Sequence, residues 1–242
     1  MERHTLGPPF ESFGPHVRVA LALLAVGGLF SFLAYSVAEE IHGWSAWAMF
    51  YVLAVGFGLF VVRHFFFRLW LHESGISYRG LLGRHEIHWR DIDRIYFGSY
   101  DIHVHYLALG TFYRLRLLTK QGTKLSLGER VHAAKALAEQ VQKHTLPEML
   151  RKSLHDFENG VELDFGKICI SRKKGVRYQR WFGWQDIPWE GLTTYGVSES
   201  LVNLGGAEKL FQVNIAADKV VNVHVLEELL GRVQRKKLRV GA

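Results

Sequence analysis

The chain has 242 residues, one cysteine, 30 Lys and Arg, 23 Asp and Glu, and a formal net charge of +7. One cysteine excludes an intrachain disulfide and every Cys-x-x-Cys zinc site, so nothing calls for an oxidising compartment. The basic excess favours anionic surfaces as neighbours, lipid headgroups ahead of nucleic acid.

Two runs without a charge come first, Val19–Ala38 and Trp44–Val62. Each is about 20 residues, the length a helix needs to cross about 30 Å of hydrocarbon. The first is too long for a secretory apolar region and has no A-x-A-like site before Glu39, so it is expected to be retained. These runs predict a two-helix transmembrane hairpin with integral contact to membrane lipid. Glu39–Ser45 between them has no Lys or Arg, whereas Arg3, Arg18, Arg63, Arg68 and Arg79 flank the outside. That asymmetry predicts a multi-pass protein of the inner or plasma membrane with both termini cytoplasmic. The runs hold no ionisable residue, which suits a tether rather than a pore or pump. Gly27, Gly28, Ala54 and Gly58 suit close packing of the hairpin on itself, with a homo-oligomer as the alternative.

Short alternating segments follow: Arg68–His72, Gly75–Arg79, Arg84–His88, Arg94–Tyr100, His103–Leu109, Tyr113–Thr119 and Lys124–Leu127. Their Ile, Leu, Val, Tyr and Phe content, broken by turns such as Gln121-Gly122, predicts strands. Val131, Ala134, Leu137, Ala138 and Val141 are spaced for one buried face of a helix over Glu129–Lys143. Pro147 predicts an interruption, and Glu148–Glu158 a short linker helix stopped by Asn159-Gly160. A second set of strands is predicted at Val161–Asp164, Lys167–Arg172, Val176–Phe182, Thr193–Val197, Leu201–Leu204, Leu210–Ile215 and Val220–His224. A helix over Val225–Lys237 closes it.

The two sets read as one unit repeated. His88-Trp89-Arg90-Asp91-Ile92 matches Gly183-Trp184-Gln185-Asp186-Ile187, and Gly75-Ile76-Ser77 matches Cys169-Ile170-Ser171. On that alignment Cys169 replaces the glycine and Pro188 follows the second Asp-Ile. About seven strands and then a helix is the pleckstrin-homology (PH) order. With Gly75-Ile76-Ser77 and the two Trp-x-Asp-Ile segments, the chain resembles the bacterial PH-like domains of small membrane proteins. Those commonly follow a two-helix hairpin, and the resemblance covers about residues 16–238. The fold class it implies is a membrane α-hairpin plus α+β. Two tandem PH-like small β-barrels or sandwiches follow, each of about seven strands capped by a C-terminal helix. The implied organisation is a tail at 1–16, the hairpin at 17–67, PH-like domains at 68–145 and 161–238, a linker helix at 146–160 and a tail at 239–242. Trp89 and Trp184 are read as plugs of the barrel mouths, with Asp91 and Asp186 capping turns, rather than as ligand contacts.

The densest surface signal is Arg172, Lys173, Lys174, Arg177 and Arg180 around Gly175. In PH domains that bind phosphoinositides a basic early hairpin holds the headgroup, so the resemblance makes this the candidate lipid or anion site; the alternative is an ordinary solvated turn. The closing run Arg232, Arg235, Lys236, Lys237 and Arg239 is expected from the helix dipole. Asp101, His103 and His105 alternate on one strand face, but no further ligand can be placed beside them, so no metal site is assigned. His85-Glu86-Ile87-His88 lacks zincin spacing, no phosphate loop or nucleophile elbow occurs, and Cys169 sits in an apolar Ile-Cys-Ile strand. No enzyme, cofactor, small-molecule substrate or nucleic-acid partner is expected. The expected role is a non-enzymatic, membrane-anchored scaffold presenting its two domains to a protein partner at the cytoplasmic face. The alternatives are an anionic-lipid sensor working through 172–180, or an accessory subunit of a transporter or enzyme complex.

Overall fold

The computed structural model describes residues 6–14, 17–41, 44–80, 83–104, 107–128, 133–180, 183–206 and 212–240. They fall into two units, one of residues 1–88 with 129–133 and one of 89–128 with 134–242.

The first unit is a four-stranded antiparallel sheet in the order β1-β2-β3-β4, with two helices inserted in its chain. The strands are β1 (Pro9–Phe13), β2 (Arg68–His72), β3 (Gly75–Gly80) and β4 (Gly83–His88). Alternation sends Leu69, Leu71, Ile76 and Ile87 to a buried face and leaves polar side chains on the other. β1 lies in what the sequence presents as a tail. It pairs with β2, and Leu6 and Phe13 are buried there. The Gly7 carbonyl lies 2.7 Å from His72 Nδ1 and the Leu6 carbonyl accepts from the Ser74 hydroxyl at 2.8 Å. A carbonyl only accepts, so His72 carries its proton on Nδ1 and accepts at Nε2 from Ser77 Oγ, 2.9 Å away.

The helices α1 (Val17–Ile41) and α2 (Trp44–Phe65) therefore leave and re-enter the sheet through two paired strands. Phe57 packs against Gly27 so closely that any side chain there would overlap its ring. Tyr35, Trp47 and Phe50 meet edge to face at 5.5–6.4 Å. The transmembrane expectation is corrected here: among the described residues, no helix is long and apolar enough to cross a membrane. Freedom from charge is a weaker condition than sustained apolarity. α1 carries Glu39 and Glu40 in its last turn, and α2 runs on through Arg63. The membrane hairpin, integral lipid contact, in-membrane homo-oligomer, inner-membrane location and cytoplasmic assignment of the termini all depended on that span, and fall with it.

The second unit holds three open antiparallel sheets, β5-β6-β7, β8-β9-β10-β11 and β12-β13-β14. The first comprises β5 (Ile92–Val104), β6 (Leu107–Thr119) and β7 (Lys124–Leu127), after a 3₁₀ turn at Trp89–Asp91. The others comprise β8 (Leu163–Asp164), β9 (Ile168–Ser171), β10 (Gly175–Arg180), β11 (Gly183–Ile187), β12 (Leu192–Val197), β13 (Leu201–Gly206) and β14 (Gln212–Ala216). No sheet among the described residues closes, which corrects the expected barrels. The count also differs: three expected strands over 94–119 are two long ones, because β5 and β6 pair with each other from Ile92 opposite Thr119 as far as Val104 opposite Leu107. The expected strand at Val220–His224 is instead two isolated bridges, Gly166 to Val220 and Tyr96 to Val221, leading into a helix.

That helix, α4 (Val223–Val240), buries Val225, Leu226, Leu229 and Leu230, a stripe at helical spacing. Each such side chain contributes about 1.5–3 kcal/mol at most. α3 (Ala134–Glu158) runs unbroken through Pro147, against the expected interruption. Proline removes one amide bond, but both halves of α3 have surfaces to cover. Leu137, Ala138 and Val141 are buried in the first half; Leu146, Met149, Leu150, Leu154 and Phe157 join the core of Ile168, Ile170, Val176 and Tyr178 in the second. Thr145, two residues before the proline, donates from Oγ1 to the Val141 carbonyl at 2.8 Å. The helix stops where Gly160 takes φ +80°.

The register also redraws the repeat. A side chain on Gly75 would come within 2.2 Å of the Ile87 carbonyl oxygen, and one on Gly175 within 2.1 Å of that of Ile187. Gly83 and Gly183, with φ +123° and +131°, open the edge strands β4 and β11. Gly175, not Cys169, is therefore the counterpart of Gly75, and Trp189, not Trp184, that of Trp89.

Candidate functional site

The basic cluster lies on the β9–β10 hairpin, whose tip is residues 172–174. Gly175 at φ +96° lets the chain turn under the Ile187 carbonyl. The structure separates the five basic residues into two groups. Arg172 Nη1 donates to the Glu158 carbonyl at 2.7 Å, closing the C-terminus of α3. Arg177 sits between Glu162 at 3.0 Å and Asp186 at 3.1 Å, with its guanidinium 5.5 Å over the Trp184 ring. These two hold the fold. Lys173, Lys174 and Arg180 are exposed and make no ion pair among the described residues.

The tryptophans have different work from that expected. Trp89 stacks face to face on His144 of α3 at 4.9 Å. Trp184 is 43% exposed on β11, with Arg177 over it. Trp189 donates from Nε1 to the Ser171 and Arg172 carbonyls at 3.0 and 3.1 Å and meets Phe157 edge to face, so it locks the basic hairpin from below. Among the described residues there is no barrel mouth for any of them to plug.

A cleft of about 180 Å³ lies within the second unit, between the Trp89–Asp93 turn, α3, β8 and Asn222. Lys120, Glu148, Lys152, Asp156 and Asp164 line it. Asp164 is already engaged, by Arg94 at 3.5 Å and by the Gly166 amide at 2.7 Å. Opposite charges alternate across this small space. No motif in the linear order points to this cleft, because its lining is drawn from positions 89 to 222.

Asp101 accepts from the Thr111 hydroxyl at 2.7 Å across β5 and β6. His105 lies outside the described residues, as does the expected helix start at Glu129. Among the described residues no three His, Cys, Asp or Glu side chains are grouped to hold a metal ion. Burial beside Asp164 and Glu162 pushes the Cys169 thiol up to about 11, so it is a poor nucleophile. His85 stacks on Tyr78 at 5.1 Å on an exposed strand. At the C-terminus Arg232 and Arg235 share Glu228 on their own helix, at 3.0 and 3.4 Å.

Residues 1–238 match the model of a family described as Family of unknown function (DUF6585), and the chain belongs to that family. No curated protein matches it.

Proposed function

We propose that this member of the family is a non-enzymatic interaction protein whose two repeats, PH-like by resemblance, offer sheet edges to a protein partner. The observation that carries this is the pair of equivalent edge strands, β4 and β11. Each is exposed over its first four residues, 83–86 or 183–186, and each pairs on one side alone among the described residues. An open edge presents a row of amide and carbonyl groups that an extended partner segment satisfies. β1 supports the reading, since this fold already extends a sheet with a segment far away in sequence. The test is cross-linking of the full-length chain in its native cells, followed by mapping of the linked peptides. A partner linked at 83–88 or 183–187 is the expected result. Recovery of the protein alone, or links confined to other segments, removes the proposal.

A second reading is favoured by the exposed Lys173, Lys174 and Arg180, which suit contact with an anionic lipid surface. Flotation with phosphatidylserine-containing vesicles, lost in K173A/K174A/R180A, is its expected result. Flotation unchanged by the triple substitution removes it.

A further inference from the structure

On the first unit's sheet, the register sets Arg68 directly opposite Arg79, and Arg79 directly opposite Arg84. Residues directly opposite share a face, so three guanidinium groups rise in one row across three adjacent strands. Strand spacing makes the row about 10 Å long from first stem to last. Like charges directly opposite one another destabilise a sheet. One carboxylate answers them among the described residues, Glu86, 3.5 Å from Arg84. Arg68 and Arg79 are exposed and have no ion pair there.

The row is not required by the fold. In the second repeat, Gln179 and Trp184 stand opposite each other where the first has Arg79 and Arg84. The same hairpin is thus built without the arginines. Nor is the row bare. Phe65, Phe66, Arg68, Trp70 and Arg79 line a pocket of about 350 Å³, and the Arg84 guanidinium lies 6.0 Å over the Trp70 ring. Arg84 is also fixed from beneath. Its Nη2 donates to Ser77 Oγ at 3.3 Å, Ser77 donates to His72 Nε2, and His72 donates to the Gly7 carbonyl. A repulsive row with a preset member and an aromatic wall has the form of an anion site awaiting its counter-charge.

We propose that Arg68, Arg79 and Arg84, with Trp70 as wall, form a binding site for a phosphate-bearing anion. Guanidinium forks match phosphate oxygens two at a time, and a row of three suits a multiply charged phosphate over a single carboxylate. The phosphate comes either from a soluble compound or from a lipid headgroup, and the experiment separates these sources.

The full-length chain is titrated with inorganic pyrophosphate, with acetate at equal ionic strength, and with phosphatidylcholine vesicles with or without phosphatidic acid. Pyrophosphate or the phosphatidic acid vesicles bind the wild type, and acetate does not. R79Q and R84Q each weaken that binding about tenfold or more. In anion-free buffer R79Q melts at or above the wild type, because both repulsive pairings are gone, and this also shows that it folds. Binding of pyrophosphate without flotation assigns a soluble ligand; Arg79-dependent flotation assigns a headgroup. The site is refuted if neither phosphate source binds, if R79Q binds as the wild type does, or if R79Q melts lower. It is equally refuted if K173A/K174A abolishes the binding while R79Q keeps it, since that places the anion on the other hairpin.

Discussion

Asn222 closes the second unit, and its removal is the sharpest stability test. It precedes α4 with φ +48°, a left-handed conformation that asparagine adopts at lower cost than alanine. Its backbone amide donates to the Ile95 carbonyl at 2.8 Å, and its carbonyl receives the Val225 and Leu226 amides that start the helix. Its side chain reaches the edge of β5: Oδ1 accepts from the Ile95 amide at 2.8 Å and Nδ2 donates to the Asp93 carbonyl at 3.0 Å. One residue thus substitutes for a neighbouring strand. In N222A the two side-chain bonds are lost at about 1 kcal/mol each, and the Ile95 amide, left buried, adds about 1–2 kcal/mol. Placing alanine in the left-handed region adds about 1 kcal/mol more. The expected loss is about 4–5 kcal/mol. N222G keeps the backbone comfortable and is expected to lose about 1 kcal/mol less than N222A. N222D keeps the acceptor alone and is expected to lose about 1–2 kcal/mol. Urea unfolding followed by far-ultraviolet circular dichroism measures all three. An N222A variant within about 0.5 kcal/mol of wild type, the range of an ordinary surface change, refutes the clasp.

Two further predictions concern titration. His224, in the first turn of α4, is half-buried with both ring nitrogens buried and unpartnered among the described residues, and burial pushes its pKa down from 6.5 to about 4. The folded state therefore favours the neutral ring, so stability held above pH 6.5 is lost as pH falls towards about 4, by roughly 3 kcal/mol in full. H224F is expected to lose less stability than wild type between those limits in urea titrations; equal losses remove the assignment. For Cys169, a thiol raised from 9.0 to about 11 holds about a hundredfold less thiolate near neutral pH, so iodoacetamide should modify it about a hundredfold more slowly than a free cysteine in native buffer. Reaction at the free-cysteine rate before unfolding contradicts its burial.

Local pattern located many of these elements well. Period-two alternation marked Arg68–His72 and Lys124–Leu127 with the bounds that β2 and β7 have, and helical spacing marked α4 to within a few residues. It failed where partners lie far off in sequence. β1 carries Pro9 and little alternation, and is a strand because β2 offers it an edge and His72 and Ser74 hold the Gly7 and Leu6 carbonyls just before it. β11 went unseen as a strand because its Trp-Gln-Asp-Ile was matched to Trp89-Arg90-Asp91-Ile92 by letters. The carbonyl over Gly175 identifies the true counterpart by geometry. The two uncharged runs became helices, but a span demands an apolarity that absence of charge alone does not supply.

The sites divide in the same way. A dense run such as Arg172–Arg180 is visible in any reading of the chain, yet which of its cations is spoken for depends on Glu158, Glu162 and Asp186. The arginine row has the opposite character: Arg68, Arg79 and Arg84 make no motif in sequence. Side-chain periodicity by itself determined which residues face out, since that needs only the alternation of each strand. Only the tertiary structure decided which outward residues are neighbours, because strand register is fixed by the burial of Leu69, Leu71, Ile76 and Ile87 on the opposite face, and a slip of one residue would turn every arginine in the row away.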